Sequence, residues 1–534
     1  MTADDMVFAS RRSPVYGTAG MVATSQPLAV QAGVDVLSAG GNAADAAVAA
    51  AAVLAVTEPC SNGVGGDCFA LYYDAATATV SALNGSGRAP AALSLDRVSA
   101  LPAYHANTVT VPGAVAGWCD VIARLGTRPL DELLAPAIGL ARNGFAVAPI
   151  TAFFWAAGAR RQLAEAANAG ELLIDGRAPE AGERFANPNV AATLQRVASD
   201  GAAGFYCGAT AAAIVDVIAA GGGVMTADDL AAHESSWVEP ISTEYAGHII
   251  YECPPNGQGL VALLALNILR ELGDVGAPLS PQRLHLTIEA LRLAFADGQR
   301  YIADPDAVAV PSEALLDHVY ARRRAGLVDP AHARADVVAG SPLASSDTVY
   351  LTVVDSAGNA CSFIQSNYMG FGTGIVPRGC GFSMQNRGHN FSLDPAHPNA
   401  LAPGKRPYHT IIPAMATRAD GTLYASFGVM GGFMQPQGHT QVVLALVDDG
   451  VDPQTALDRP RLCIQPGGGP VALEQGTPAD TQRALQQMGH RITEVGGPAR
   501  ALFGRGQIIV RQRDGVLCGG SDPRADGCAA TPVS

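Results

Sequence analysis

Charge is what this chain has least of. Only 15% of its 534 residues are charged, against roughly 25% in typical soluble proteins, and aromatic residues make up 6%. Basic residues are the scarcer sign: 34 Lys and Arg face 48 Asp and Glu, a net charge of −14, and no basic cluster exceeds Arg322-Arg323-Arg324. Binding to nucleic acid needs dense positive charge, so no nucleic-acid partner is expected. The ten cysteines (60, 68, 119, 207, 253, 361, 380, 463, 518, 528) contain no Cys-x-x-Cys pair. With no export signal read, they are expected to be reduced, buried small hydrophobes. Long apolar runs are also missing. The longest, Ala43 to Val56, is Ala-rich, holds Asp45 and is too short to span a bilayer, so it predicts a buried helix and no membrane association. Residues Met1 to Gly20 contain Asp4, Asp5, Arg11 and Arg12 but no apolar core of a secretory signal, which predicts a cytoplasmic protein.

What is abundant is glycine, 60 of 534 residues, and apolar surface, 48% of residues. Many tight turns and close backbone approaches are implied, together with a large shared core. Up to about residue 320 the pattern is mostly helical. Ser25 is placed to cap a helix through Leu37 that stops at Gly40-Gly41, and Asn42 to cap the next, which ends before Pro59. A hairpin follows at Cys68–Tyr73 and Thr79–Leu83. Helices are predicted over 114–125, 131–143, 151–167, 190–198, 210–219, 260–272, 281–302 and 312–324, with one strand at 241–251. From Thr348 the pattern changes to paired strands: 348–354, 360–366, 380–385, 411–417 and 422–427. Helices near 437–447 and 478–488 precede strands at 491–496, 506–512 and 515–519. Antiparallel strands flanked by helices, without βαβ alternation, predict an α+β layered fold.

Thr348 opens an abrupt apolar run, Val349-Tyr350-Leu351-Thr352-Val353-Val354-Asp355, behind a loose stretch from Arg324 to Ser346 rich in Ala, Gly, Ser and Pro. A threonine hydroxyl is a poor nucleophile unless a base takes its proton. If the chain is cut between Asp347 and Thr348, the new α-amino group of Thr348 is that base. Its reference pKa, about 7.7–8.0, leaves part of it neutral at cellular pH. Two glycine clusters follow, Gly370-Phe371-Gly372-Thr373-Gly374 and Gly428-Val429-Met430-Gly431-Gly432. The run Gly63-Val64-Gly65-Gly66 precedes a strand instead of opening a helix, so it fits dinucleotide binding poorly. His389, His409 and His439 have no common zinc-motif spacing, and no metal or cofactor is predicted.

These residues, taken with Lys405-Arg406-Pro407 and Gly520-Ser521-Asp522-Pro523-Arg524, resemble the γ-glutamyltransferase (glutathione hydrolase) family in order. So do Gly40-Gly41-Asn42-Ala43-Ala44-Asp45-Ala46, Gly63-Val64-Gly65-Gly66-Asp67 and Val111-Pro112-Gly113. The resemblance implies a four-layer αββα sandwich of the N-terminal-nucleophile hydrolase type. Self-cleavage before Thr348 would give a helix-rich large-subunit region, 1–347, and a catalytic small-subunit region, 348–534, sharing one core. It implies Thr348 as nucleophile, Ser366 as its hydroxyl neighbour, and the backbone N–H groups of Gly431 and Gly432 as oxyanion donors.

The substrate pocket departs from that pattern. Asn390 stands where the family holds a glutamyl ammonium with aspartate, and Ser86 where an arginine takes the α-carboxylate, with Arg88 two residues on. His409-Thr410 replace a serine pair, and Tyr368 replaces an asparagine. The segment between Phe391 and Lys405 is short, which predicts a cleft without a lid, as in the family's cephalosporin acylase branch. The substrate implied is a small-molecule amide, γ-glutamyl (glutathione-like) by default and glutaryl-type as the alternative, with water or an amine as acyl acceptor. Both subunits would come from one precursor, and the resemblance leaves room for a homo-oligomer. An unprocessed, non-catalytic binding protein is the alternative of another class.

Overall fold

The computed structural model describes residues 12–334, 348–465 and 469–533. The proposed scissile bond falls at the edge of this range: Asp347 lies outside the described residues, while Thr348 lies inside.

Two seven-stranded sheets form the centre. The first runs in the order Cys528–Ala530, Met21–Thr24, Val349–Val354, Ala360–Ser366, Asp67–Asp74, Thr79–Gly85, Ser236–Val238. The second runs Val15–Gly17, Leu517–Ser521, Arg505–Arg511, Leu423–Met430, Ala414–Arg418, His248–Glu252, Ile241–Tyr245. Neighbours in both are antiparallel. Each sheet contains strands from both before and after Thr348, so the two halves of the sequence share one core and neither owns a sheet.

Alternation along the strands separates the layers. In the strand Val349–Val354, Val349, Leu351 and Val353 face a helical layer that includes Pro27–Ser38, Ala43–Thr57 and Ala114–Leu125. Tyr350 and Val354 face the other way, into a core shared with Met415, Leu423 and Ile509 of the second sheet. Thr352 Oγ1 crosses that gap to donate to Ser426 Oγ at 2.6 Å, and Gly428 is bare because a Cβ there would sit 2.5 Å from the Tyr350 ring. The outer face of the second sheet packs on Gly259–Leu272, Pro281–Tyr301 and Met434–Val443. The stack is therefore helix, sheet, sheet, helix, the α+β sandwich predicted above.

Local chemistry explains most element ends. Asn42 caps Ala43–Thr57 with a full capping box to Asp45. That helix is Ala-rich and buried all round, because it lies between the first sheet and other helices. Ser25 does not cap its helix: Pro27 starts it, and the Ser25 hydroxyl donates instead to Glu58 at 2.6 Å. The predicted strand 241–251 is a hairpin, Ile241–Tyr245 and His248–Glu252, turned at Ala246 and Gly247, both at positive φ. The predicted helix 312–324 breaks at Asp317, whose carboxylate caps the second piece. Residues 380–385 form no strand, and helix 151–167 ends at Gly158 in a π-helical turn. Cys207 is exposed and Cys119 and Cys528 are half-buried, so not all cysteines are buried as expected. No described helix is long and apolar enough to cross a membrane.

Candidate active site

Sheet register places the functional row. Ser366, the last residue of its strand, pairs with Asp67, the first of the next. Val349 pairs with Gln365, so Thr348 is the next residue outward, and its Oγ1 donates to Ser366 Oγ at 3.1 Å. Parity puts Thr348, Ser366 and Asp67 on the face between the sheets, alongside Tyr350, Ile364 and Phe69. Strands lie about 4.8 Å apart. The three side chains therefore form a short row at one end of the sandwich. Ser366 Oγ also accepts the backbone N–H of Tyr368 at 2.7 Å, which fixes the hydroxyl.

The second sheet closes the same end. Gly431 and Gly432 follow the strand Leu423–Met430, with φ of 135° and 60°. That left-handed region suits glycine, and a Cβ on Gly431 would lie 3.1 Å from Gly504 Cα. Among the described hydrogen bonds the N–H groups of Gly431 and Gly432 have no acceptor. Gln258, which sequence reasoning missed, ties the loops together: its Nε2 donates to the carbonyls of Thr410 at 2.6 Å and Gly432 at 2.8 Å.

Asp67 is the hub of the pocket wall and was also missed, although it closes the Gly63-Val64-Gly65-Gly66-Asp67 motif. One carboxylate oxygen accepts the N–H groups of Gly87 at 3.1 Å and Gly113 at 3.0 Å. The other accepts from His409 Nε2 at 3.1 Å. His409 Nδ1 accepts the Ile411 N–H at 3.3 Å, which fixes the tautomer. Burial, and then the Arg387 charge, push the His409 imidazole well below its usual range, so it is neutral. Burial also raises the Asp67 carboxyl to about 7, against the pull of Arg387 and its two backbone donors.

Arg387 is fully buried, donates from Nη1 to Thr410 Oγ1 at 2.6 Å and stacks its guanidinium 4.4 Å over the Tyr368 ring. Its Nε lies 4.0 Å from Asp67, and Nε and Nη2 have no hydrogen-bond partner among the described residues. Burial lowers its pKa to about 10. Tyr368, at φ 77°, donates its hydroxyl to Asn390 Oδ1 at 2.6 Å. Asn390 Nδ2 donates to the Tyr408 carbonyl at 3.0 Å. Tyr368, Asn390, His409 and Thr410 are thus brought together with Arg387, which position-by-position matching passed over.

Arg88 is not part of this set. Its guanidinium pairs with Asp304 at 3.4 Å and Asp306 at 2.7 Å and is one-third exposed. Ser86 accepts from Asn256 Nδ2 at 3.0 Å. The expected open cleft also differs: Thr348, Ser366, His409 and Thr410 are all fully buried. The segment after Phe391 folds back on the wall, with Asn399 donating to the Asn390 carbonyl at 2.7 Å and Lys405 to the Ala400 carbonyl at 3.0 Å. A cavity of about 980 Å³ lined by residues between Pro149 and Ala181 contains none of these groups. His389 and His439 lie apart, on the Leu101 carbonyl and Glu252. The Gly520–Arg524 motif is structural: Asp522 and Glu474 neutralise Arg524 and Arg461 in a buried network, and Asp522 is held down at about 2 despite its burial.

Comparison with known proteins gives the family. The family model "Gamma-glutamyltranspeptidase" matches residues 29–531. The chain is 37% identical to the "Glutathione hydrolase-like YwrD proenzyme" of Bacillus subtilis strain 168, over 96% of this chain and 99% of that one. It is 34% identical to the "Acylase ACY 1 proenzyme" of Pseudomonas sp. strain SE83, over 99% and 95%. The crystal structure of a cephalosporin acylase from Bacillus halodurans superposes with a TM-score of 0.91 at 46% identity, covering 98% of both chains. The chain belongs to the gamma-glutamyltranspeptidase family and is an enzyme built on the N-terminal-nucleophile hydrolase fold.

Proposed function

We propose that this protein is a self-processing threonine amidohydrolase. Thr348 Oγ attacks the carbonyl of the Asp347–Thr348 peptide bond and its proton passes to the leaving nitrogen. The C–N bond breaks, freeing the Thr348 α-amine and leaving an ester on Oγ, which water hydrolyses to the Asp347 α-carboxylate and the free Thr348 hydroxyl. That amine then takes the Oγ proton as Oγ attacks a substrate amide. The leaving amine departs with a proton, and the acyl group stays as an ester on Thr348 until water or another amine takes it. Gly431 and Gly432 supply N–H groups to the oxyanion. The observation that carries this reading is the Thr348–Ser366 hydroxyl pair at 3.1 Å at one end of the sandwich.

For the acyl group, the wall supports an acylase for glutaryl-type amides over a γ-glutamyl hydrolase. The γ-glutamyl donor carries an ammonium, and Asn390 offers it a neutral amide whose two polar atoms are already held. The similarity to acylases keeps that substrate class open, and the similarity to glutathione hydrolase-like proteins keeps the γ-glutamyl donor as the alternative. The test is a gel of purified protein, expected to show pieces of 347 and 187 residues, joined to initial rates on glutaryl and γ-glutamyl anilides. A protein that stays full length and turns over neither would favour the non-catalytic reading. Faster turnover of the γ-glutamyl anilide would restore the glutathione-type reading.

A further inference from the structure

Two histidines from opposite sides of Thr348 meet inside the molecule. His285 lies on the helix Pro281–Tyr301, with Glu289 one turn further on, and His490 follows the helix Ala479–Gln487. All three are buried, and one ligand atom from each lies within 4.8 Å of the others. His285 Nε2 donates to the Asp329 carbonyl at 2.8 Å. A carbonyl only accepts, so His285 Nδ1 is a bare lone pair, and it points at His490 Nε2, 2.8 Å away. Among the described residues this is the one His/Cys/Asp/Glu group so arranged.

We propose that His285 Nδ1, His490 Nε2 and a Glu289 carboxylate oxygen bind one divalent transition-metal ion of the zinc class, clamping the piece before Thr348 to the piece after it. Two imidazoles and a carboxylate suit such an ion, with water in the fourth position. The supporting contacts that ligands need are already built. The Asp329 carbonyl orients His285. Arg292 holds one Glu289 oxygen at 2.8 Å, and the Arg334 N–H holds the other at 3.2 Å. A carboxylate has about four lone-pair sites, so both contacts leave room for a metal. On loading, His490 moves its proton from Nε2 to Nδ1, an atom with no partner among the described residues, and no net proton is released.

The position gives the clamp a purpose. Asp329, Ala333 and Arg334 are among the last residues described before the region that ends at Thr348, and all three attach here. Ala333 N–H donates to the Met488 carbonyl at 2.6 Å, beside His490. After cleavage this region becomes a chain end, and an ion held by both pieces would keep it seated.

The plain alternative is a His–His hydrogen bond beside a Glu–Arg pair, with no ion. The experiment uses untagged full-length or processed protein, stripped with chelator and reloaded with Co²⁺ or Zn²⁺. Metal per chain after gel filtration, the ligand-field spectrum of the Co²⁺ form, and the Tm with and without Zn²⁺ are measured. The expected result is one ion per chain and a Zn²⁺-dependent rise in Tm, both lost in His285→Gln/His490→Gln. Glu289→Gln, close in shape, keeps the fold and changes the Co²⁺ spectrum. Wild type that binds no more metal than the double variant, or binds it with a spectrum indifferent to Glu289→Gln, overturns the proposal. Neither processing nor turnover is read, so its failure and that of the hydrolase reading remain separate.

Discussion

The nucleophile row and the pocket wall lie a few ångströms apart but are built in different ways. Apart from Asp67, which the row shares with the wall, the row is Thr348, Ser366 and the glycine pair Gly431 and Gly432, with no ionisable side chain among them. The wall gathers Asp67 from the start of a strand, Arg387 and Asn390 from a short 3-10 helix, and Tyr368, His409 and Thr410 from loops, and its centre is ionisable and fully buried. Bond making needs only a hydroxyl, a base and two N–H donors, which regular strands supply. Recognition needs charges placed in three dimensions, and the wall holds them at a cost in desolvation: the Asp67 carboxyl is pushed up and the Arg387 guanidinium down. In the proposed mechanism the row carries the bond making, and the wall carries the choice of acyl group.

The largest effect should come from breaking the row. Thr348→Ala is expected to leave one full-length band and no detectable turnover, because nucleophile and base both disappear. Gel analysis after long incubation checks it. Cleavage in that variant would remove Thr348 from the first step.

Next is the other half of the row. Gly431→Val places a branched side chain at φ 135°, where its Cβ meets Gly504. Losing one oxyanion donor costs about 10²–10³ in kcat. The measurement is kcat on processed enzyme, with circular dichroism as the folding control. A change under about threefold would mean that the glycine pair shapes only a turn.

The same contrast explains what the sequence reveals. Thr348 stands out because it opens an abrupt apolar run behind a loose stretch, and Ser366 through the family resemblance; strand register then makes them neighbours. The α+β class is legible from antiparallel strands flanked by helices, and the αββα layering only through the family resemblance; the turn at Ala246-Gly247 is missed because an alanine at positive φ gives no turn signal. Asp67 is visible within a motif but shows no role there, because its partners His409 and Arg387 lie more than 300 residues away. Arg88 is a candidate by proximity in sequence, yet Asp304 and Asp306 draw it outward. His285 and His490, 205 residues apart, have no spacing to read.

The wall's ionisation makes a stability prediction. An unfolded Asp loses its proton at about 3.9, but burial keeps the Asp67 proton until about pH 7. Between those values the folded state binds a proton that the unfolded state has released. This contribution is therefore fully present below about pH 4 and is lost as pH rises through about 7. Asp67→Asn keeps the Oδ1 acceptor for Gly87 and Gly113 and cannot ionise. Its Tm should fall less than the wild type's between about pH 4 and about pH 8. Parallel Tm curves would show that Asp67 is ionised throughout, and the wall would then be an ordinary ion pair.

The smallest effect is expected at Asn390, the wall residue that most separates this chain from the family pattern. A carboxylate there would face the ammonium of a γ-glutamyl donor, and a buried charge pair can be worth roughly 2–5 kcal/mol. Asn390→Asp cannot realise all of it. Oδ1 still accepts from Tyr368, but the Nδ2 donor to the Tyr408 carbonyl is replaced by an oxygen facing an oxygen at about 3.0 Å. Leaving that buried carbonyl without its donor costs about 1–3 kcal/mol. That cost falls on the variant with either acyl donor and shows in its stability. Asn390 is half-buried, so solvent screens the new charge pair and the γ-glutamyl to glutaryl ratio of kcat/KM should rise by about tenfold or less. Tyr408 donates its hydroxyl to Gln258 at 3.1 Å, so the Tyr408 side is anchored and the variant must absorb the repulsion itself. A drop in Tm alongside the modest gain is the accompanying signature. A much larger gain would mean that the introduced carboxylate has turned from Tyr408 to the donor, making the wall adaptable where the row is rigid. No change in the ratio, in processed and folded enzyme, would mean that Asn390 serves Tyr368 and Tyr408 alone and that the donor's ammonium is met elsewhere.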